Sequence, residues 1–227
     1  MDNRVENLDR LEKALDIAKS HPHYLELKLI QDRLLYSLNE YACGDVLDVG
    51  CGNKPYKDIF DSNSRITRYI GCDIVQSSSR SVDVICEATK LDFENDSFDT
   101  LFSSQTIEHV GDFQLMLNEA NRVLKKDGYF ILAGPMYWPL HEEPYDFYRF
   151  TKHGFEFSLK KAGFQITEIL SCGGKWAMLG QVIIHTLPKW MLKLRITRLA
   201  INTIFYYLDK KYFDDSNTMN YVVVCKK

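Results

Sequence analysis

The hydrophobic positions of the chain follow two different periods, and the change between them falls near residue 44. Before it, apolar residues recur every third or fourth position, which is typical of amphipathic helices. Two such stretches predict two N-terminal helices over residues 1–43, separated at Pro22 because proline cannot continue a helix. The first follows Leu8, Leu11, Leu15 and Ala18, and the second follows Leu27, Ile30, Leu34, Leu38 and Tyr41.

Beyond residue 44 the apolar positions form short continuous runs, many of them bounded by glycine or an acid, and this pattern predicts buried strands. The runs cover residues 46–50, 69–74, 82–86, 98–103, 129–133, 164–170 and 221–225. Residues 113–124 fit a helix with Gly128 as its C′ residue, and Thr151 is placed to cap a helix that reaches Lys161. The alternation of strands and helices favours a mostly parallel α/β sheet that is covered on both faces.

The predicted elements make one α/β domain over residues 1–227. It divides into N-terminal helices (1–43), a ligand-binding core (44–170), a helical insertion (171–219) and a last strand (220–227). The insertion is predicted because about fifty residues rich in Leu, Ile, Trp and Tyr separate the last two strands, far more than a hairpin needs.

Composition and charge narrow the functional classes. With 45% hydrophobic and 26% charged residues the chain has the composition of a globular protein, which excludes a disordered chain, a collagen and a coiled-coil rod. A net charge of -3 argues against a nucleic-acid partner. The charged N-terminal segment predicts no signal peptide, and no apolar run is long enough to span a bilayer, so we expect a cytoplasmic protein.

The cysteines and histidines predict no metal site. Six cysteines show no C-x-x-C pair, which favours small buried side chains in a reducing compartment. His21 and His23 flank Pro22, too close to the helix break to resemble a ligand pair.

The segment 46–55 is the first candidate binding site, because a strand leads there into a Gly-x-Gly turn. A tight turn without a ligand would use the same glycines. Asp48 favours the ligand-binding alternative, since a carboxylate at the strand end suits a cationic ligand group rather than a phosphate. Pro55 occupies the position where a dinucleotide fingerprint needs glycine, and Asp73 ends the second strand, where an acid can accept hydrogen bonds from ribose hydroxyls.

The chain resembles the class I S-adenosylmethionine-dependent methyltransferases of the type 11-like group. Four stretches carry the resemblance in the correct order: residues 46–52, Asp73, residues 86–99 and residues 118–129. The resemblance implies a Rossmann-like, seven-stranded, mostly parallel sheet and S-adenosylmethionine as cofactor. One departure is Lys54, which stands at the third position of the family's G-x-G-x-G turn and could crowd the carboxylate end of the cofactor or pair with it.

The same resemblance implies roles for ten residues. The methionine part of the cofactor would be held by Asp48, Gly50, Cys51 and Gly52, the ribose by Asp73 and the adjoining Ile74, the adenine by Glu87 and Ala88, and the sulfonium would be lined by Ser104 and Gln105.

Candidate catalytic residues follow the fourth and fifth strands. A hydroxyl acceptor must lose its proton, commonly to His, Asp or Glu. His141 is the favoured base, with Asp146 beside it in the same loop and His109 as a second candidate. The alternatives are structural: Asp146 would pair with Arg149 one helical turn away, His141 would be a loop residue, and His109 would shape the pocket.

The loop pattern His-x-x-Pro-x-Asp-Phe-x-Arg-Phe-Thr, over residues 141–151, resembles a subgroup associated with bacterial surface-glycan synthesis. It implies O-methylation of a saccharide that is stacked on Tyr137, Trp138 or Tyr145 and hydrogen-bonded through Asp146 and Arg149. The alternatives are methylation of a small metabolite, quinone or lipid, a cofactor-binding scaffold without catalysis, and a nicotinamide enzyme.

The insertion has its own charge pattern. Between residues 169 and 208 there are five basic residues and no acid. On a helix these residues form two polar arcs rather than one. The segment 175–208 is therefore either a helical lid or dimer face, or a surface that meets an anionic lipid or lipid-linked substrate at the inner membrane face.

Overall fold

A computed structural model describes residues 17–227 as a single seven-stranded sheet with helices on both faces. The strands are β1 (Gly44–Val49), β2 (Ile66–Asp73), β3 (Val84–Ile85), β4 (Phe98–Ser104), β5 (Leu124–Pro135), β6 (Gln165–Cys172) and β7 (Asn220–Lys226). Their order is β3-β2-β1-β4-β5-β7-β6, and β7 runs antiparallel to both of its neighbours while β1 to β5 are parallel. The predicted Rossmann-like, mostly parallel sheet is confirmed.

Seven helices surround this sheet within the described part of the chain. They are α1 (Tyr24–Tyr41), α2 (Lys57–Ser62), α3 (Phe113–Val123), α4 (Lys152–Lys161), α5 (Lys175–Thr186), α6 (Lys189–Lys193) and α7 (Arg195–Lys211), and a 3-10 turn, Ile107–His109, follows β4. One face of the sheet is covered by α1 and α2, through buried side chains such as Leu34 and Phe60. The other is covered by α3 and α4, through Leu117 and Phe155. Because β1 to β5 are parallel, their carboxyl ends lie together at one edge of the sheet, which these helices leave open.

Two sequence predictions about element ends are wrong. Helix α3 ends at Val123 and the chain extends at once, because Leu124 already pairs with Phe98 of β4. Gly128 therefore lies inside β5 and is not a helix C′ residue; a Cβ there would lie 2.8 Å from the carbonyl oxygen of Asp99. The third strand is reduced to two residues, since Asp83 turns its carboxylate back onto the amide of Gly71.

The predicted helical insertion is present as α5, α6 and α7, and it packs against the start of α1. Three of its side chains donate hydrogen bonds to backbone carbonyl oxygens just before α1. The acceptors are the carbonyls of Pro22 for Gln181 (3.1 Å), Lys19 for Asn202 (2.6 Å) and Ser20 for Arg198 (2.7 Å). The predicted second N-terminal helix is α1, while Leu8, Leu11 and Leu15 of the predicted first one lie outside the described residues. Among the helices of residues 17–227, none has both the length and the apolar character that crossing a bilayer requires.

Candidate active site

A cavity of about 440 Å³ opens at the carboxyl ends of β1, β2 and β4. Ligands of open α/β sheets bind at this edge. All ten residues that the sequence assigns to cofactor binding line it: Asp48, Gly50, Cys51, Gly52, Asp73, Ile74, Glu87, Ala88, Ser104 and Gln105. Further lining comes from α1, from the segment after β4 and from the loop after β5.

The turn after β1 is shaped for close approach by a ligand. Gly50 and Gly52 have φ values of 77° and 51°, in the left-handed region that favours glycine. A Cβ on Gly50 would overlap the side chain of Thr106. The amides of Gly50 and Cys51 both donate to the carbonyl of Cys72, at 2.9 and 3.0 Å, so the turn is fixed to the end of β2.

Lys54 leaves the cavity clear. It also adopts a positive φ, 55°, in a turn where the resembling family has glycine. Its side chain is buried beneath β2, where the ammonium donates to Asp83 and lies 5.3 Å from the ring centre of Tyr69. Lys54 therefore pairs inside the protein, and it neither crowds a ligand nor reaches one.

Asp48 presents a buried carboxylate to the cavity. Only 2% of the residue is exposed, and the hydroxyl of Tyr69 donates to Oδ2 at 2.5 Å. Burial raises the pKa of Asp48 to about 7. Because a nearby cation favours the ionised form, this position suits a ligand ammonium or sulfonium group.

Asp73 closes the adjoining strand and is held by two backbone amides. Gly52 donates to Oδ2 at 2.9 Å and Ile74 donates to Oδ1 at 2.7 Å. Burial raises the pKa of Asp73, and these two hydrogen bonds oppose that shift. Each oxygen retains a lone pair, so the carboxylate can accept from two neighbouring hydroxyls. Glu87, at the next strand end along the edge, is exposed to solvent at the cavity wall.

A chain of hydrogen bonds across the cavity wall was missed by the sequence analysis. Nε2 of Gln105 donates to Oδ1 of Asn220 at 3.0 Å, and Nδ2 of Asn220 donates to Oε1 of Glu26 at 3.2 Å. Glu26 lines the cavity, and its burial raises its pKa to about 7. The available signal was its position: Glu26 lies four residues before Ile30 and eight before Leu34, on the stripe of α1 that is buried.

The predicted catalytic residues separate into two groups. His109 lines the cavity, with Nδ1 at 2.8 Å from the carbonyl oxygen of Tyr145. His141 lies outside the lining and contacts it through the ring of His109, 4.8 Å away between ring centres. Burial lowers the pKa of His141.

Asp146 makes its hydrogen bonds within the loop after β5 and does not line the cavity. Its side chain is 1% exposed and accepts two hydrogen bonds from Arg149, at 2.6 and 2.7 Å, and one from the amide of His141 at 3.0 Å. Burial alone would raise the pKa of Asp146, but these bonds lower it to about 2. The expected contact between Asp146 and a substrate is replaced by the pair with Arg149.

Some aromatic residues of the same loop line the cavity and others lie outside it. Trp138 packs against His23 and His185, with ring centres 5.2 and 4.9 Å away, outside the cavity lining. Tyr145 and Phe147 line the cavity and remain exposed. Of the three aromatic residues that the sequence assigned to stacking, Tyr145 is the one in place to do so.

Comparison with known proteins agrees with this geometry. Residues 47–132 match the family model described as a methyltransferase domain. A sarcosine/dimethylglycine N-methyltransferase of Aphanothece halophytica is 45% identical over 47 residues, which are 21% of this chain and 17% of that protein. The chain thus spans less than a fifth of the curated relative's length.

Solved structures share the fold at low identity. An S-adenosylmethionine-dependent methyltransferase from Archaeoglobus fulgidus has a TM-score of 0.60 at 17% identity, covering 89% of this chain and 94% of that one. A phosphoethanolamine N-methyltransferase of Haemonchus contortus, solved with S-adenosyl-L-methionine, has a TM-score of 0.56 at 19% identity, covering 87% and 52%.

Proposed function

We propose that this chain, an S-adenosylmethionine-dependent methyltransferase of class I, transfers a methyl group to a hydroxyl oxygen of a small polar acceptor, with a saccharide as the leading class. The observation that carries the proposal is the buried carboxylate of Glu26 in the cavity wall, joined through Asn220 to Gln105. Gln105 follows Ser104 at the end of β4, and these are the two residues that the family resemblance places beside the sulfonium of the cofactor.

The residues present fit the cofactor. Its amino and sulfonium groups are cationic, and the cavity offers them the buried carboxylate of Asp48 rather than a basic phosphate site. The glycine cradle at Gly50 leaves room for backbone approach, and Asp73 can accept from both ribose hydroxyls. When bound, S-adenosylmethionine supplies an electrophilic methyl group. The protein's own task is then to place the acceptor and take its proton.

Glu26 is the side chain we assign as proton acceptor. S-adenosylmethionine would supply the methyl group and keep the electron pair of the broken methyl–sulfur bond on sulfur, and the acceptor's hydroxyl proton would pass to the carboxylate of Glu26. A pKa of about 7 suits this task, because a general base works best when its pKa lies near the working pH. His109 is the second candidate for the proton acceptor, and the ring of His141 packs against its ring.

The saccharide class rests on the cavity rim and on the subgroup pattern of residues 141–151. Tyr145 and Phe147 offer exposed ring surface against which a sugar can stack. The carboxylates of Glu26 and Glu142 line the same cavity and accept hydrogen bonds from hydroxyls.

An amine acceptor is the second candidate, and the same acidic, aromatic lining favours it. Carboxylates and ring faces attract a protonated or alkylated amine. The relative of Aphanothece halophytica is, by its name, an N-methyltransferase. Screening both acceptor classes with labelled methyl donor separates the two functions.

The test begins with calorimetric titration of S-adenosylhomocysteine into the wild-type chain and into Asp73→Ala. We expect micromolar binding that Asp73→Ala weakens by about ten- to a hundredfold, the effect of losing charge-assisted hydrogen bonds. A folded wild-type protein that does not bind would contradict the cofactor site and the function together.

Glu26→Gln and Glu87→Gln form a matched pair for the acceptor side. We expect Glu26→Gln to keep its affinity for S-adenosylhomocysteine while kcat falls by about a hundredfold or more. Glu87→Gln should do the reverse and weaken cofactor binding. Near-wild-type turnover by Glu26→Gln would reject its role as proton acceptor.

We also propose that the tip of the insertion, residues 189–196, docks on an anionic lipid surface. The tip combines exposed Lys189, Lys193 and Arg195 with Trp190 and Ile196, which are 67% and 69% exposed. Basic residues beside exposed apolar ones are typical of peripheral membrane contacts.

A further inference from the structure

We propose that Glu108, His109 and His141 bind one divalent transition-metal cation at the edge of the cavity. Each side chain offers one ligand atom, and these atoms lie within 4.8 Å of one another. His109 belongs to the cavity lining, so a cation held here would border the space for the acceptor.

Glu108 is the first reason to place a cation at this position. Its side chain is fully buried, and within residues 17–227 neither carboxylate oxygen has a hydrogen-bond partner. A carboxylate buried in this way is strongly destabilising unless a cation or several donors compensate it. Its nearest basic atom is Nε2 of His109, 3.9 Å from Oε1, which is too long for a hydrogen bond.

The orientation of the two imidazoles is the second reason. Nδ1 of His109 lies 2.8 Å from the carbonyl oxygen of Tyr145, so its N–H donates there and Nε2 keeps a lone pair. Nδ1 of His141 lies 3.3 Å from both the carbonyl oxygen of Pro139 and Oδ2 of Asp146. Metal-ligating histidines are oriented in this way, with one nitrogen donating to a carbonyl or carboxylate and the other free to bind the metal.

Asp146 has a place in this arrangement. It is clamped by Arg149 and held ionised, so it fixes the ring of His141 without touching the ligand atoms of Glu108 or His109. A carboxylate, a histidine and a metal in series form a common arrangement that orients the imidazole and makes it a better ligand. Asp146 is therefore a positioning residue.

The ligand set selects the class of metal. Two imidazoles and a carboxylate favour Zn²⁺ and its transition-metal neighbours over Mg²⁺ or Ca²⁺, which prefer oxygen ligands. Tetrahedral Zn²⁺ with bonds near 2.0–2.1 Å holds its ligand atoms about 3.4 Å apart. The 3.9 Å between Glu108 and His109 would therefore close by about half an ångström on binding.

Glu142 stands beside the site. Its Oε2 lies 3.8 Å from Nε2 of His109, close enough to give a fourth ligand or to accept from a metal-bound hydroxyl. Resting on the proposed function, the cation would hold the acceptor hydroxyl and lower its pKa. Metal binding itself does not depend on that function.

The experiment is a calorimetric titration of Zn²⁺ into the full chain after chelator treatment. We expect one equivalent to bind, and Glu108→Gln and His141→Ala each to weaken binding at least tenfold. Asp146→Asn should weaken it by about ten- to a hundredfold, as loss of a carboxylate behind a ligating histidine does. His185→Ala is the matched control, because His185 belongs to a separate imidazole cluster with His23.

The outcomes are separable. Absence of stoichiometric zinc binding, or wild-type affinity in both Glu108→Gln and His141→Ala, overturns the proposal. So does a loss of affinity confined to His185→Ala, which would place the zinc in the other cluster. Titration of S-adenosylhomocysteine into each variant checks its fold: a protein that binds S-adenosylhomocysteine but no zinc rejects the metal site alone, and one that binds zinc but no S-adenosylhomocysteine rejects the methyltransferase function alone.

Discussion

Three buried carboxylates lie in the wall of the cavity or beside it. Asp48, Glu26 and Glu108 are all buried, and burial raises their pKa values to about 7, 7 and 8. A carboxylate with a raised pKa is readily ionised when a cation arrives beside it. The proposed cofactor, proton-acceptor and metal roles place one positive charge or proton beside each of these three carboxylates.

Asp48 makes the stability of the ligand-free protein depend on pH. Its pKa rises from 3.8 when unfolded to about 7 when folded, so the folded state holds the proton more tightly. Its contribution is complete below about pH 4 and is lost as the pH rises through about 7. We expect Asp48→Asn to flatten this decline, whose full extent is roughly 4 kcal/mol.

Thermal unfolding of the wild type and of Asp48→Asn without cofactor, at about pH 5 and about pH 8, measures this loss of stability with rising pH. The wild-type Tm should fall further than that of Asp48→Asn between these conditions. Asp58→Asn, which changes an exposed carboxylate on α2, is the control. Parallel changes in all three proteins would contradict the prediction.

Lys54 gives a second prediction at this scale. Its backbone is left-handed, which costs a non-glycine residue about 1–2 kcal/mol. Lys54→Gly and Lys54→Ala both lose the ion pair with Asp83, but only the glycine relieves the backbone. We expect Lys54→Gly to be the more stable by about 1 kcal/mol in chemical denaturation. Both variants should bind S-adenosylhomocysteine as the wild type does. The prediction is wrong if Lys54→Ala is as stable as Lys54→Gly, or if either variant loses much of its affinity for S-adenosylhomocysteine.

Among the elements, α1 and β7 build the wall of the cavity to which the proposed function assigns the acceptor. Helix α1 supplies Glu26, Leu27 and Ile30 to its wall, and β7 supplies Asn220, which fixes Glu26. Both elements lie outside residues 47–132, the part that matches the methyltransferase family model. The residues assigned to the cofactor thus lie inside the matched segment, whereas Glu26 and Asn220 lie outside it.

Asn220→Asp tests that pairing of elements. The change replaces a donor to Glu26 with a second carboxylate, and a like charge raises a carboxyl pKa. We expect the rise of kcat with pH to move upward by about one pH unit, with little change in affinity for S-adenosylhomocysteine. Asn217→Asp, in the exposed loop before β7, should leave the profile in place. An unshifted profile in Asn220→Asp would contradict a role for Glu26 in proton transfer.

The sequence predicts the strands and the glycine turn because both depend on local patterns. Residues 46–52 form β1 and its turn as expected, with Asp48 in the cavity wall. The contact between Glu26 and Asn220 has no local pattern, since 194 positions separate the two residues. The role of Lys54 was open for a similar reason: its partner Asp83 lies across β2.

On the scale of the molecule, two of the five basic residues between residues 169 and 208 are engaged within the protein. Asp214 follows α7 and pairs with Lys175 at 2.7 Å, while Arg198 is bound to the carbonyls of Ser20 and Leu192. Of the five basic residues between residues 169 and 208, the other three, Lys189, Lys193 and Arg195, are exposed at the tip, residues 189–196. Three exposed basic residues therefore lie where Trp190 and Ile196 are also exposed.

Co-sedimentation with vesicles tests the tip. We expect binding to vesicles that contain phosphatidylserine, weakened by salt and absent with neutral vesicles. Lys189→Glu combined with Trp190→Ala should lower the affinity at least tenfold, since each basic residue contributes about 1 kcal/mol near such a surface. Lys152→Glu, on α4, is the matched charge control. Absence of binding at low salt would reject lipid docking and leave a lid or dimer role.

The central position of β7 has a consequence for how the protein is made. This strand lies between β5 and β6, although it is the last of the seven in sequence. A nascent chain can complete the glycine turn early, but β6 has no neighbour to join until residues 220–226 leave the ribosome. Only then does Glu26 meet Asn220. The turn that would hold the methyl donor is thus built from residues 44–73, whereas the wall that would receive an acceptor also needs residues 220–226.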